Sequence, residues 1–212
     1  AQKDNRCRID KFVLIGDHKQ LPAVVQQTPE ESAVTEPELC DIHLSDCRLS
    51  LFERLLAQFK TGRGDYDDRF VYMLTKQGRM HRDIAEFPNY AFYGNRLDIV
   101  PLDHQLLPNV RKDTGNSIIT MLTTRRIAFV TAEPEKPSLS AKTNSMEARM
   151  IAATVRSVYE LTAGSFETEK TVGVIVPYRN QISTVRNEID KFGIPCLHDI
   201  TIDTVERYQG SQ

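Results

Sequence analysis

At 212 residues, with 40% hydrophobic and 26% charged side chains, the chain has the makeup of a soluble globular protein. That length accommodates one α/β domain, or one domain plus part of another. A formal charge of −2 argues against a dedicated basic nucleic-acid module but leaves room for a local groove that tracks phosphates. No apolar run is long enough to cross a bilayer, and the polar start, Ala1-Gln2-Lys3-Asp4, has no apolar signal core, so no membrane association is expected.

Phe12-Val13-Leu14-Ile15 is a continuous apolar run closed by Gly16-Asp17, the pattern of a strand buried on both faces that ends at a functional loop. With no initiator methionine and a strand pattern this early, the chain reads as a piece of a longer polypeptide. Residues 22–46 are rich in Pro, Glu, Thr and Asp and predict an excursion over the surface. Cys40, His43 and Cys47 lie close together there, but no second pair completes a four-ligand metal site, and ordinary loop side chains are expected. The four cysteines, these two with Cys7 and Cys196, show no paired framework, which fits reduced thiols in a cytoplasmic, intracellular protein. Leu49, Phe52, Leu55, Leu56 and Phe59 recur at helical spacing, predicting an amphipathic helix over 50–60. Thr61-Gly62-Arg63-Gly64-Asp65 breaks it, and a domain boundary is placed there, between 1–64 and 65–212.

Val71-Tyr72-Met73-Leu74 predicts a strand, and a helix from Arg82 is expected to be interrupted at Pro88, which lacks a donor. Residues 94–124 read as irregular, Ile127-Ala128-Phe129-Val130 as a strand, and 133–142 as a solvated loop. Asn144-Ser145-Met146-Glu147 has the form of a capping box, opening a helix whose core face is Ala148, Ile151, Ala152, Val155 and Tyr159. Val172 to Val176 predicts a buried strand. Ile182, Val185, Ile189 and Phe192 stripe a second helix that Gly193 can end in a left-handed conformation, and Ile200 to Val205 predicts another strand. Strand, helix, strand at this spacing is a βαβ unit, hence a parallel sheet flanked by helices. Ligands of such sheets sit at the carboxyl ends of strands, and every unusual polar cluster of this chain falls there.

Those clusters are Gly16-Asp17-His18-Lys19-Gln20-Leu21-Pro22; Gln77-Gly78-Arg79-Met80-His81 with Phe87-Pro88-Asn89 and Phe92-Tyr93; and Val174-Ile175-Val176-Pro177-Tyr178-Arg179 joined to Thr204-Val205-Glu206-Arg207-Tyr208-Gln209-Gly210-Ser211-Gln212. In order, they resemble motif III, the arginine motif that opens the second motor domain, the Pro-Tyr segment and motif V of superfamily 1 DNA/RNA helicases. The branch is that of the nonsense-mediated-decay helicase and the replication nuclease-helicases. Four clusters in the right order at strand ends make chance a poor explanation. The resemblance runs from about residue 11 to the end and is thin between 94 and 125. It implies an α/β fold: a RecA-like parallel sheet flanked by helices, as in P-loop NTPases, preceded by a partial first RecA-like domain.

The resemblance also implies roles. Gln20 becomes the first domain's γ-phosphate sensor, since an amide can donate to a phosphate oxygen and accept from a water. Asp17 contacts the nucleotide site or instead orients its neighbours. Arg79 becomes the arginine finger, a planar guanidinium that grips phosphoryl oxygens and offsets developing charge. Gln77 is a candidate for the adenine edge, because the family usually has an aromatic residue where this chain has Gly78. Gly210 allows close backbone approach, and Gln212 stands where relatives often carry a ribose-binding glutamate. Pro177, Tyr178, Arg179 and Thr204 become the nucleic-acid face, with core packing an equal alternative for Tyr178; Arg207 is unassigned.

The implied ligands are ATP with Mg2+ and single-stranded DNA or RNA, and the implied partner is the rest of the same polypeptide. No Gly-x-x-x-x-Gly-Lys-Ser/Thr phosphate loop, acidic magnesium box or motif VI occurs in these 212 residues, so the chain by itself is expected to hydrolyse ATP very poorly and to unwind nothing. A helicase-like binding module without ATPase activity is the competing expectation, and an unrelated parallel α/β enzyme is a third.

Overall fold

The computed structural model describes residues 9–22, 24–62, 65–132 and 142–208, and it divides into two units, Ala1–Thr75 and Lys76–Gln212.

The first unit is organised by local devices. Short helices α1 (Pro29–Ser32) and α2 (Pro37–Asp41) each begin with proline, whose missing N–H costs nothing at that position. Helix α3 (Leu51–Gln58) occupies the predicted amphipathic stretch and opens with a full capping box. The Glu53 amide donates to Ser50 Oγ (3.2 Å), and the Ser50 amide donates to the Glu53 carboxylate (3.0 Å). The described residues on either side of the glycine-rich break approach one another. Lys60 bridges Tyr66, the Thr61 amide donates to Asp65 O, and Phe59 stacks on Phe70 at 4.7 Å.

Three predicted strands do not form. Residues 12–15, 71–74 and 127–130 take no regular structure, with Ile15 90%, Tyr72 85% and Phe129 91% exposed. A strand is held by its ladder, and none of the three segments has a paired neighbour among the described residues. An apolar run without a ladder partner does not become a strand.

In the second unit, β1 (Lys76–Gln77) leads into helix α4 (Arg82–Tyr93), and β2 (Asp98–Ile99) follows. The two strands pair in parallel, Lys76 opposite Asp98. Contrary to expectation, α4 runs through Pro88. The proline removes one amide donor, while His81 Nδ1 caps the Asp83 amide at the start and Gly94 takes a left-handed φ of 59° at the end. The stretch read as irregular also holds α5 (Asp103–Leu106) and α6 (Ser117–Thr124). Helix α6 was hidden by its threonines, poor helix formers whose hydroxyls here donate to carbonyls one turn back, Thr123 to Ile119 O and Thr124 to Thr120 O.

From residue 142 on, structure follows the sequence pattern closely. Helix α7 (Ser145–Thr162) is followed by β3 (Gly173–Val176), α8 (Arg179–Asp190), α9 (Pro195–His198), β4 (Thr201–Thr204) and α10 (Val205–Tyr208). Strands β3 and β4 are parallel, in register from Gly173 opposite Thr201 to Val176 opposite Thr204, so β3–α8–β4 is the expected βαβ unit. Ala148, Ala152 and Val155 of α7 meet Val174 and Val176 of β3, Val185 and Ile189 of α8, and Leu197, Ile200 and Ile202 in one core. Gly193, at φ 63°, turns the chain after α8.

Half of the predicted capping box is present: Asn144 Oδ1 accepts from the Glu147 amide (3.1 Å). The other half is supplied from α8. The buried Gln181 accepts from the Asn144 amide and donates to the Asn144 carbonyl, both at 2.8 Å. A tertiary amide displaces the local carboxylate because it satisfies donor and acceptor at once. Arg186 of α8 in turn donates to the carbonyls of Leu197, His198 and Ile200, fixing the entry into β4.

Candidate nucleotide and nucleic-acid sites

In the first unit, Asp17 organises the turn that carries Gln20. Its Oδ1 accepts from the Lys19 amide (2.9 Å) and its Oδ2 from Gln20 Nε2 (3.1 Å), while the Gln20 amide donates to Asp17 O (3.2 Å). Asp17 thus orients its neighbours. Gln20 is exposed, and its side-chain oxygen accepts nothing among the described residues.

In the second unit, residues 77–81 form a tight loop at the end of β1. Gln77 Oε1 accepts from the Arg79 and Met80 amides (3.1 and 2.8 Å), and Gln77 Nε2 donates to Met80 O (3.0 Å). A glutamine amide has two donor and two acceptor positions, so three of the four go to the loop's own backbone. One N–H of Gln77 is left over from these bonds. Arg79 is exposed, and its guanidinium makes no hydrogen bond or ion pair among the described residues.

The third cluster converges in space. Pro177, Tyr178 and Arg179 at the end of β3, with Thr204, Glu206 and Arg207 at the end of β4, line one concavity of about 330 Å³. The parallel register sets Val176 beside Thr204, which brings two segments that are distant in sequence to a common edge. Tyr178 is the N-cap of α8 without a side-chain cap bond, and the first turn of α8 carries no acidic residue, so its leading amides and the Arg179 charge present a positive end.

Thr204 is itself buried. Glu206 keeps its carboxyl below the usual range through its own backbone amide, then through the Thr204 hydroxyl, with a smaller contribution from the Arg179 charge. Arg207 lies 3.7 Å from Asp203. The end of this wall is braced by Tyr208, whose hydroxyl donates to Thr201 O (3.0 Å) and is pushed above its ordinary pKa chiefly by burial. Gly173 makes room for it, since a Cβ there would stand 2.8 Å from the Tyr208 oxygen.

Of the expected site residues, Asp17 and Gln20 share one turn, Gln77 and Arg79 share another, and Pro177, Tyr178, Arg179 and Thr204 share the concavity. Gly210 and Gln212 lie outside the described residues. Glu206 stood in a quoted segment without a role, and nothing in the sequence pointed to His104 or Gln105, which fasten the arginine loop.

A family described as an AAA domain matches residues 47–212. The chain belongs to this family of superfamily 1 helicases. The family implies a RecA-like α/β fold; the described residues show helices around two small parallel sheets. The chain is similar to the 3'-5' exoribonuclease HELZ2 of Mus musculus, 26% identical over 96% of this chain and 6% of that protein. It is also similar to the DNA replication ATP-dependent helicase/nuclease JHS1 of Arabidopsis thaliana, 26% identical over 94% of this chain and 13% of that protein. The DNA polymerase alpha-associated DNA helicase A of Saccharomyces cerevisiae is 27% identical over 95% of this chain and 28% of its own length. The chain thus spans well under a third of these relatives. Among the described residues, no helix is long and apolar enough to cross a membrane.

Proposed function

We propose that this chain serves an ATP-dependent superfamily 1 translocase acting on single-stranded DNA or RNA, as part of a longer polypeptide whose remainder is its partner. Its first 64 residues end one RecA-like domain, and residues 65–212 form most of a second, built on a full parallel sheet to which β3 and β4 contribute. The observation that carries the reading is the concavity of about 330 Å³. Four residues expected from the sequence to contact the strand, Arg179 among them, gather there at the ends of two parallel strands, with a second arginine, Arg207, and a helix start.

Arg179, Arg207 and the leading amides of α8 hold backbone phosphates, Thr204 and Pro177 shape the wall, and the half-exposed Tyr178 offers a ring face to a base. Glu206, kept ionised, bars phosphates from one side and so helps to set the strand's path. ATP is bound with Mg2+, whose ligands lie outside the residues named here. The loop-borne Arg79 grips γ-phosphate oxygens and offsets charge as the terminal phosphoryl group leaves. Gln20, steadied by Asp17, serves the nucleotide from the first unit, donating to a phosphate oxygen and accepting from a water. Gly210 and Gln212 complete the nucleotide side, with Gln77 shaping the arginine loop.

In the complete polypeptide, Arg79→Ala should lower strand-stimulated ATP turnover by on the order of 10³ with strand affinity unchanged. Arg179→Ala should weaken binding to an unstructured DNA or RNA oligonucleotide and reduce the slope of log affinity against log salt by about 1. Unchanged turnover in the first variant would remove Arg79 from the nucleotide site, and an unmutated complete polypeptide that binds the oligonucleotide but hydrolyses no ATP would replace the motor reading with the binding module.

A further inference from the structure

The loop that carries Arg79 is held from outside itself. Arg79 lies between Gly78, which adds backbone freedom, and Met80. No partner among the described residues holds its guanidinium, so what the fold fixes is the backbone from which that side chain starts. The backbone is fastened by α5, which lies 25 to 28 residues downstream. Gln105, fully buried, donates from one amide nitrogen to Gln77 O (3.0 Å) and to Met80 O (2.9 Å). Those are the two carbonyls that bracket the Gly78-Arg79 pair. Its oxygen meanwhile accepts from the Leu102 amide (3.4 Å). The neighbouring His104 donates from Nε2 to the Gly78 carbonyl between them (2.9 Å).

We propose that Gln105 is a positioning residue for Arg79, and that α5 acts as a staple across the arginine loop, setting the angle at which the guanidinium is presented to the γ-phosphoryl group. This rests on the reading of Arg79 given above. Gln105 is not needed to satisfy the two carbonyls that it meets. Gln77 O also accepts from the Val100 amide (2.9 Å), and Met80 O also accepts from Gln77 Nε2 (3.0 Å). A buried amide whose two N–H groups are spent on carbonyls that already have donors serves geometry more than satisfaction. A phosphoryl-transfer site is sensitive to such geometry, since a displacement of about 1 Å can cost on the order of a hundredfold in rate.

The test is a cycle in the complete polypeptide with Gln105→Met, which keeps length and apolar contact but removes both donors, and Arg79→Ala. Gln105→Met should lower strand-stimulated turnover by about tenfold or more, with KM for ATP and strand affinity unmoved. In the Arg79→Ala background it should lower turnover no further, because a residue acting only through Arg79 has nothing left to position. Normal turnover in Arg79→Ala would remove the reading of Arg79 and the staple's role with it. A severe Arg79→Ala with a Gln105→Met that turns over normally, or losses that multiply in the double variant, would overturn the staple alone. Should thermal unfolding show that Gln105→Met does not fold, the exposed His104→Ala replaces it. A loss of about twofold to threefold confined to the Arg79 background is then expected, and an equal loss in both backgrounds overturns the proposal.

Discussion

Residues 12–15 and residues 172–176 look alike as sequence, each a short β-branched and apolar run followed by a polar loop, and they end in opposite states. Val174 and Val176 are buried in a ten-residue core beneath two long helices, whereas Val13 and Ile15 stand almost fully in solvent. The second run meets a parallel neighbour in register from Gly173 to Val176, and the first meets none among the described residues. The first unit keeps its order through capping boxes, the Asp17 turn and the i, i+2 ion pairs Arg48–Asp46 and Arg69–Asp67. Apolar pattern states what a segment could bury; a ladder partner and a covering helix decide whether it does.

The sharpest way to break this contrast is a matched truncation. Ile189→Ala should cost about 2–5 kcal/mol, read as faster amide hydrogen exchange across residues 173–204, while Ile15→Ala should stay within about 0.5 kcal/mol. Equal losses would mean that Ile15 is covered as Ile189 is. A smaller effect is expected at Gly173. Gly173→Ala drives a methyl against the Tyr208 hydroxyl and should destabilise by about 1–3 kcal/mol. Tyr208→Phe, which removes the atom in closest contact, should recover part of that loss; no recovery would place the strain elsewhere.

The smallest effect belongs to acid. The Arg69 guanidinium, and then the Arg69 amide, hold the Asp67 carboxyl down to about 2, and Arg48 depresses Asp46 further still. A depressed carboxyl contributes stability that is present above its unfolded value, about 3.9, and lost as pH falls through the folded one. The first unit should therefore loosen as pH drops from about 4 to about 2, in a salt-sensitive way because both pairs are exposed. Hydrogen exchange at 65–71 that does not change over that window would show that the pairs stabilise nothing.

Where the argument from sequence succeeded, the signal was local and repeated. The faces of α7 and α8, the turn at Gly193 and the Ser50 start of α3 are written in residues a few positions apart, and the βαβ order follows from their spacing. The gathering of Pro177, Tyr178, Arg179 and Thr204 was legible for the same reason, because parallel strands of known order align their ends. The continuous helix through Pro88 and the α6 helix were misjudged because propensity at one residue is outweighed by caps and packing around it.

By itself, the sequence determined the order of elements in the β3–α8–β4 unit and which polar clusters stand at its strand ends, since motif identity and periodicity are properties of near neighbours. Tertiary structure alone decided that Gln181 would close the cap of α7 and that Gln105 would reach back to the arginine loop. Hydrogen bonds between groups 25 or more residues apart depend on how the backbone brings them within about 3 Å, and no spacing rule along the chain encodes that.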